Sequence, residues 1–484
     1  MSFRINNNIS AINANRWLAR NESAMNKSLE RLSSGLRINS AGDDPSGLVI
    51  SENMRAQITG LNQAIENGEL ASTMVQTAEG ALSEVHALLN SMRELALHAA
   101  NEGAVSAEDL AADQAEIDNV LNTLQQIATN TQFATKKLLD GTGGTTGSVT
   151  SGTAKFVGGS ALTESGEYTV NVTTQAEKAI VVSTNSAAPG AGVTLAADET
   201  LTIINNTSGM TLTVDLTAGD NAQTVVDKIN AYTDITGLVA STDGDVITAT
   251  SQDYGSAASY TISSDKALTN GTQSGFGTTG VTDAGVDVAG TLAFGGTTYT
   301  ATGTGAILSG RSGTPASGLR VFYSGATGTA VAKVQVSNQS LTFQVGGNAG
   351  QTANVSLADM TTRRLGRGLD SDFGGTNQFQ NLSQVNVLTA DKATDAISII
   401  DRAIADVNGV RGELGAFQSN TLESSLNNLR VAQENLVAAE SVIRDTDMAA
   451  EVASFTRSQI LVQTASAMLS QANAVPNLVL QLIG

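Results

Sequence analysis

Apolar residues recur at helical spacing near both ends of the chain. Leu18, Met25, Leu29, Leu32 and Leu36 are separated by 7, 4, 3 and 4 residues, a heptad seam on one helix face. Leu461, Ala465, Met468, Ala472, Val475, Val479 and Leu482 alternate at spacings of 4 and 3. Chain ends usually fray, so apolar stripes here predict that the ends bury against each other or against other copies. A second helix is predicted from Pro45, whose fixed φ suits a first helical turn after Asp43 and Asp44. Its stripe includes Met54, Ile58, Leu61 and Ile65, slips by one near Gly68, and resumes as Val75, Ala78, Leu82, Val85, Leu89 and Met92. A helix of about fifty residues would be about 75 Å long and calls for bundle partners. Ser106 and Asp109 form a capping-box pattern before a helix with core face Ile117, Val120, Leu121 and Leu124. Ile400, Ile404, Val407, Val410, Leu414 and Phe417 make a further stripe, continued by Leu422, Leu426, Leu429, Leu436 and Ile443. These long helices can pair as an antiparallel bundle. An ordinary helical core accounts for the middle stripes as well as an assembly role does.

The pattern changes between about 141 and 340. Most of the 48 glycines and most of the aromatic residues fall there, among dense Thr, Ser and Val. A β-rich insert between two helical arms is the simplest organisation, so the fold class is mainly α with a β-rich insert. Charge does not separate the regions. The whole chain of 484 residues carries a formal net charge of −20, and both the arms and the insert are acidic. That excess disfavours nucleic acid and anionic membrane as partners. No apolar run approaches the ~20 residues of a membrane span. MSFRINNNISAINANRW has no apolar core of a Sec-type signal, which implies a cytoplasmic protein or one exported by another route.

Catalytic chemistry has few candidates. With no cysteine, disulfides, thiolate metal sites and thiol nucleophiles are excluded. The two histidines, His86 and His98, lie twelve residues apart, about 18 Å on a straight helix, too far to share a metal. They are expected to be solvated. No histidine lies in the insert, so an HExxH zinc site cannot form there. Asp43 and Asp44 resemble an acid/base pair, but a cap before Pro45 explains them better. Gly303-Thr-Gly305 lacks the remainder of a phosphate loop and is expected to be a β-turn. Asp243, Asp245 and Asp253 could hold calcium weakly, although Asp243-Gly244 marks a hairpin turn. No enzyme, cofactor or metal is expected.

Two segments are specific enough to carry a family resemblance. ERLSSGLRINSAGDDPSGLVISE (30–52) and SVIRDTDMAAEVASFTRSQILVQTASAMLSQANAVPNLVLQLIG (441–484) resemble the ends of bacterial flagellin, the subunit of the flagellar filament. RELALHAAN (93–101), AEIDNVLNTL (115–124), TQFATKKLLDG (131–141) and LTFQVGGNAGQ (341–351) fit the same family in the same order. In the insert, residues 220–262 resemble a small β–α–β module of flagellins and hook-associated proteins. Residues 286–337 resemble part of the filament cap protein.

The resemblance implies an architecture. Residues 1–42 and 445–484 would form an inner coiled coil lining a channel. Residues 43–141 and 341–444 would form a helical outer-tube domain with a β-hairpin. Residues 142–340 would be a variable, solvent-facing β or α+β domain, with submodules near 160–265 and 280–340. It further implies an extracellular filament component that swims the cell, is exported unfolded by the flagellar type III route and forms a homopolymer through Leu18, Met25, Leu29, Leu32, Leu36 and the Leu461–Leu482 seam. A chaperone would cover the C-terminal helix, and filament cap and hook-associated proteins would be neighbours. A host innate immune receptor would read a patch that includes Arg93, Leu95 and Glu116. Flagellins strongly recognised by that receptor carry an arginine two residues before the RELA arginine, where this chain has Ser91. Other readings are a hook–filament junction protein, or a secreted adhesin using flagellin ends for export.

Overall fold

The computed structural model describes residues 8–101, 103, 105–184, 194–243, 246–268, 273–370, 373 and 375–483. Its helices are α1 (Ile9–Ser34), α2 (Pro45–Ala99), α3 (Ala107–Asn130), α4 (Ala222–Asn230), α5 (Thr233–Thr236), α6 (Ala390–Ala416), α7 (Ser424–Arg444) and α8 (Met448–Ile483). The chain divides into two compact units. One comprises residues 1–70, 344–352 and 422–484, and the other 71–343 and 353–421. The expected division, with 43–141 and 341–444 in one domain, differs from this one. The first part of α2, the hairpin tip and α7 cluster with the outermost helices.

Within the first unit, α1 packs along α8. α1 stops at Gly35, whose left-handed φ of 74° suits a glycine C-cap, and the Gly35 N–H donates to the Arg31 carbonyl. Asp44 receives the Gly47 N–H at 2.9 Å and the Ser46 hydroxyl at 2.9 Å, closing the start of α2. Asp43 accepts from the backbone N–H groups of Asn39 and Ser40 and pairs with Lys27 at 2.7 Å. Lys27 and the Ser40 N–H hold its carboxyl far below the usual range. Both aspartates therefore have structural employment. Gly68 explains the slipped stripe. A Cβ there would sit 2.8 Å from Leu426 Cδ2, so the absent side chain admits α7. At Gly60 the backbone of Gly347 also comes close, 3.2 Å from where a Cβ would stand.

In the second unit, α2, α3 and α6 bury continuous stripes. Val75, Ala78, Leu82, Val85, Leu89 and Met92 of α2, Ile117, Val120 and Leu124 of α3, and Ile400, Val407, Val410 and Leu414 of α6 are all buried. Leu121, Ile404 and Phe417 sit at the half-buried margins. The capping box is present, with the Ser106 hydroxyl accepting from Asp109 N–H and Asp109 accepting from Ser106 N–H. Arg93 joins α2 to Asp401 of α6 at 2.6 Å, and Arg411 joins α6 to Glu79 at 2.7 Å. His98 is not merely solvated. Its Nδ1 lies 2.7 Å from Asp113 of α3, and that carboxylate raises the His98 pKa. Beyond α6 the chain forms a π-helical turn, Phe417–Glu423. The five-residue step from Phe417 to Leu422 in the apolar pattern is its signature.

The insert has a nested topology. Its strands are β1 (Gln132–Phe133), β2 (Lys136–Lys137), β3 (Thr145–Gly152), β4 (Lys155–Gly158), β5 (Gly166–Thr174), β6 (Lys178–Val182), β7 (Glu199–Asn205), β8 (Thr211–Leu216), β9 (Leu238–Asp243), β10 (Val246–Tyr254), β11 (Ser259–Ser264), β12 (Val281–Ala284), β13 (Ala289–Phe294), β14 (Thr297–Thr304), β15 (Ile307–Gly310), β16 (Arg320–Phe322) and β17 (Gly328–Asn338). A last pair, β18 (Leu341–Gln344) and β19 (Thr352–Val355), makes the expected hairpin. An eight-stranded sheet runs β3-β17-β5-β13-β14-β15-β16-β4, with Tyr168, Val170, Leu292, Leu308, Val321 and Val334 in its core. Between β5 and β13 the chain leaves to build sheets β6-β10-β9 and β12-β11-β7-β8 around α4, then returns. Consecutive submodules at 160–265 and 280–340 are thus replaced by one module set inside another. Thr291 pairs with Asn171 across that excursion, so the outer sheet needs both of its halves. Alternation along β7 (Leu201, Ile203) and β11 (Tyr260, Ile262) buries one face against Val225, Val226 and Ile229 of α4. The Gly305 turn joins β14 to β15, with Thr304 opposite Ile307 and φ of 60° at Gly305. Asp243 pairs with Val246 at the β9–β10 hairpin, while Gly244 and Asp245 lie outside the described residues.

Candidate assembly surface

The α1–α8 pair is antiparallel. Arg31 pairs with Glu451 near one end at 3.7 Å, and the Asn8 side chain donates to the Ala472 carbonyl near the other at 2.9 Å. Toward α8, α1 turns Ala11, Ala14, Leu18, Asn21, Met25, Ser28 and Leu32. Toward α1, α8 turns Phe455, Ser458, Val462, Ala465, Leu469 and Ala472. Both series keep the 3–4 spacing of a coiled coil. The seam is thin, because alanine, serine and asparagine occupy about half of it.

Leu18, Met25 and Leu32 therefore lie on the seam as the spacing predicts, and so do Ala465 and Ala472. Leu36 is half-buried where it bridges to Asp445. Three residues differ. Leu29 is 53% exposed because Ser28 takes the seam position after Met25. Leu461 and Met468, 45% and 62% exposed, point away from α1, while Val462 and Leu469 point inward. The cause is two overlapping stripes on α8 that share Ala465 and Ala472, of which α1 covers one. Extending the spacing back to Phe455, one turn after Glu451 on α8, is the signal that selects the inner stripe. Val475, Val479 and Leu482 are helical, but their side chains lie outside the described residues.

Large apolar side chains remain open around both helices. Ile9, Ile12, Trp17 and Leu29 of α1 and Val452, Ile460, Leu461 and Met468 of α8 are all exposed. Exposed apolar residues in this number mark an interaction surface.

The joint beside this pair carries polar contacts the sequence pattern does not reveal. The Arg37 N–H donates to the Arg444 carbonyl and the Thr446 N–H to the Gly35 carbonyl. Arg444 reaches Glu52 at 2.8 Å and holds that carboxyl below its ordinary pKa. The fully buried Ser51 donates to Glu440 at 3.1 Å. These contacts tie the start of α2 to the end of α7. They give LSSGLRINSAGDDPSG a mechanical role as the corner that sets the α1–α8 pair.

Arg93 and Leu95 of α2 are half-buried, and Glu116 of α3 is exposed. Arg93 is occupied by Asp401, which raises its pKa. Among the described residues no group of three or more His, Asp or Glu side chains is placed to hold a metal ion. No helix among them is long and apolar enough to cross a membrane.

Comparison with known proteins accounts for these features together. The bacterial flagellin N-terminal helical region matches residues 5–143, and the bacterial flagellin C-terminal helical region matches 397–483. A flagellin of Clostridium tyrobutyricum is 31% identical over 97% of this chain and 98% of its own. The chain belongs to the bacterial flagellin family. The B-type flagellin of Pseudomonas aeruginosa is also 31% identical, over the whole of both chains. Among solved structures, FliC from Burkholderia pseudomallei is similar at 19% identity, covering 72% of this chain and 98% of that one, with a TM-score of 0.27. The flagellin hook IN motif matches residues 200–253. That match starts earlier than the resemblance at 220–262 and takes in β7 and β8. In this flagellin the module is a hairpin, a helix and a second hairpin.

Proposed function

We propose that this flagellin is the structural subunit of a bacterial flagellar filament, outside the cell, and that it polymerises through α1 and α8. The observation that carries the reading is the two-faced helix pair. One stripe on each helix is used within the chain, while the exposed apolar side chains of α1 and the second stripe of α8, Leu461 and Met468, are left for neighbouring copies. Alone, the thin inner seam buries too little to offset the entropy of ordering two helices. Residues 1–42 and 445–484 are then disordered in the free subunit and ordered on joining the filament, so folding and assembly are coupled. Repeated head-to-tail contacts that do not close give an open helical polymer. The role is structural, with no catalytic step. Seeded polymerisation viewed by electron microscopy tests the reading. The full chain should extend seeds into long filaments, and versions lacking 1–42 or 445–484 should not. A full chain that never extends seeds overturns it.

Export follows the same logic. A chain without cysteine, with four prolines, meets no disulfide and few proline-isomerisation barriers when it refolds after passage unfolded. An export chaperone would shield the apolar stripes of α8 in the cell. The filament cap and hook-associated proteins would contact the same helices at the filament's ends. On the outer helices, an innate immune receptor would meet Arg93, Leu95 and Glu116 with Ser91 where strongly recognised flagellins have arginine. Serine cannot supply a guanidinium's forked donors, and Arg93 is already engaged by Asp401. Recognition is therefore weakened. Ser91→Arg should raise the reporter-cell response, and an unaltered response already equal to that of a strongly recognised flagellin refutes the point.

A further inference from the structure

The three large sheets of the insert treat their edges differently. An uncovered edge offers unpaired N–H and carbonyl groups to another strand, so folds usually block it. At β9, the Asn230 side chain accepts from the Ala240 N–H at 2.7 Å and donates to the Ala240 carbonyl at 3.0 Å. The edges β6 and β12 block each other. Glu177 and Val286 exchange backbone hydrogen bonds beside them, and Asp283 of β12 accepts from the Ile180 N–H at 2.6 Å. In the eight-stranded sheet the edge strands β3 and β4 lie side by side, with Gly147 leaving room for the Phe156 ring.

Strand β8 is the exception. The Thr200 N–H and carbonyl of β7 are taken by Asp265, on the β11 side, while the Asn205 N–H donates to the Met210 carbonyl. Odd-numbered residues of β7 therefore face β8, where they meet Leu212, Val214 and Leu216. Thr211, Thr213 and Asp215 then point their N–H and carbonyl groups outward. Among the described residues none of these backbone groups has a partner. Their side chains are exposed as well. The open stretch ends at Thr217, whose N–H and carbonyl are both taken by Asp220.

The sequence of β8 indicates what fits there. In an antiparallel pair of two β8 strands centred on Thr213, Thr213 faces Thr213, and Thr211 faces Asp215 of the other copy. All three outward positions fall in register, giving about six backbone hydrogen bonds. Each Thr211 hydroxyl can donate to the facing Asp215 carboxylate, as the Thr200 hydroxyl already does within the chain at 3.1 Å. Centring the pair on Asp215 would instead set two carboxylates opposite each other, which is unfavourable. The edge is thus self-complementary in one register.

We propose that β8 is a docking edge for β8 of a second copy of this chain, joining two inserts by a continuous sheet. Such a pair is small and weak alone, so it acts where copies are held close together, as in the filament proposed above.

Cross-linking of the unpolymerised full-length chain tests this without relying on filament growth. Thr213→Cys supplies the only thiol in the chain. In the pair, the two residues at 213 stand about 5.5 Å apart between Cα atoms, within reach of bis-maleimidoethane. A covalent dimer whose yield rises with protein concentration is expected. Thr302→Cys, exposed on β14, should give far less. Adding Thr211→Asp to Thr213→Cys should cut the yield about fivefold or more, because like charges then face each other twice. Adding Asp215→Lys as well should restore it, since opposite charges then meet. An unchanged melting temperature shows that the variants are folded. If they are not, hydrogen exchange on the unaltered chain decides: peptides spanning 211–216 should gain protection as concentration rises. Equal yields from the two thiol positions, a yield that Thr211→Asp leaves unchanged or Asp215→Lys fails to restore in folded variants, or exchange independent of concentration would overturn the proposal. A chain that cross-links at 213 but never extends seeds would retain the β8 pair and lose the filament reading.

Discussion

Two groups of helices in this flagellin use the same residue types to different ends. In α2, α3 and α6, Leu82, Val85, Leu89, Ile117, Leu124, Ile400 and Val407 are fully buried within one chain. In α1 and α8 large apolar side chains, Trp17, Leu29, Leu461 and Met468, are exposed, and about half of the seam between the helices is alanine, serine and asparagine. Periodicity alone does not distinguish these cases, because each helix has a 3–4 stripe. What differs is how many stripes a helix has and how many its own chain can cover. A helix with one stripe, fully covered, is finished. A helix with two stripes, one covered, awaits another copy.

The sharpest break in that comparison separates assembly from folding. Leu461→Asp with Met468→Asp places two charges on the uncovered face of α8. Filament extension from seeds should be abolished, since a charge buried at an interface without a partner is strongly unfavourable. The melting temperature of the unpolymerised chain should hardly move, as exposed substitutions usually stay within about 0.5 kcal/mol. A variant that still extends seeds, or that melts far lower as a monomer, would place these residues in the chain's own core.

The converse substitution lies in the bundle. Leu89 is fully buried on α2. Leu89→Ala should cost about 2–5 kcal/mol through lost transfer energy and the cavity left behind. Urea denaturation of the monomer reads that loss directly. Seeded extension should survive at temperatures where the variant is still folded. Equal damage to assembly and folding would mean that the two helix groups are not separable.

Much of this was legible in the sequence, and the remainder shows where pattern reading stops. The start of α2 at Pro45, the Ser106–Asp109 capping box and the buried faces of α2, α3 and α6 follow from local spacing and capping chemistry, which act within one turn or two. The choice between the overlapping stripes on α8 is not local. It depends on the register against α1, fixed by Arg31–Glu451 and by the Asn8–Ala472 contact some 460 residues apart in sequence. The nesting of the insert is likewise hidden. Strands β5 and β13 are neighbours in the sheet but are separated by the whole inner module, and strand propensity carries no information about that pairing. Leu29 belongs to a third case. Leucine is the expected seam residue and serine is not, yet the continuing heptad places Ser28 inward, because backbone geometry fixes the face before side-chain preference acts.

The smallest expected effect concerns the junction of α2 and α3, within the finished bundle. His98 Nδ1 meets Asp113 at 2.7 Å, and that carboxylate, followed by Asp109 more weakly, raises the His98 pKa above its ordinary 6.5. A group whose pKa is higher in the folded state binds its proton more tightly there, so folding gains when the proton is present. The contribution is complete below the unfolded-state value and disappears as pH rises through the folded-state value. Stability should accordingly decline as pH rises from the ordinary histidine value of 6.5 through the higher folded-state value. The histidine is largely exposed, so the decline is small and screened by salt. His98→Gln keeps a hydrogen-bond donor without a titrating charge and should flatten that part of the profile. Urea midpoints of both proteins across the window decide it. A slope retained by the variant would assign the pH dependence to other groups and leave the α2–α3 junction held by its apolar face and capping box alone.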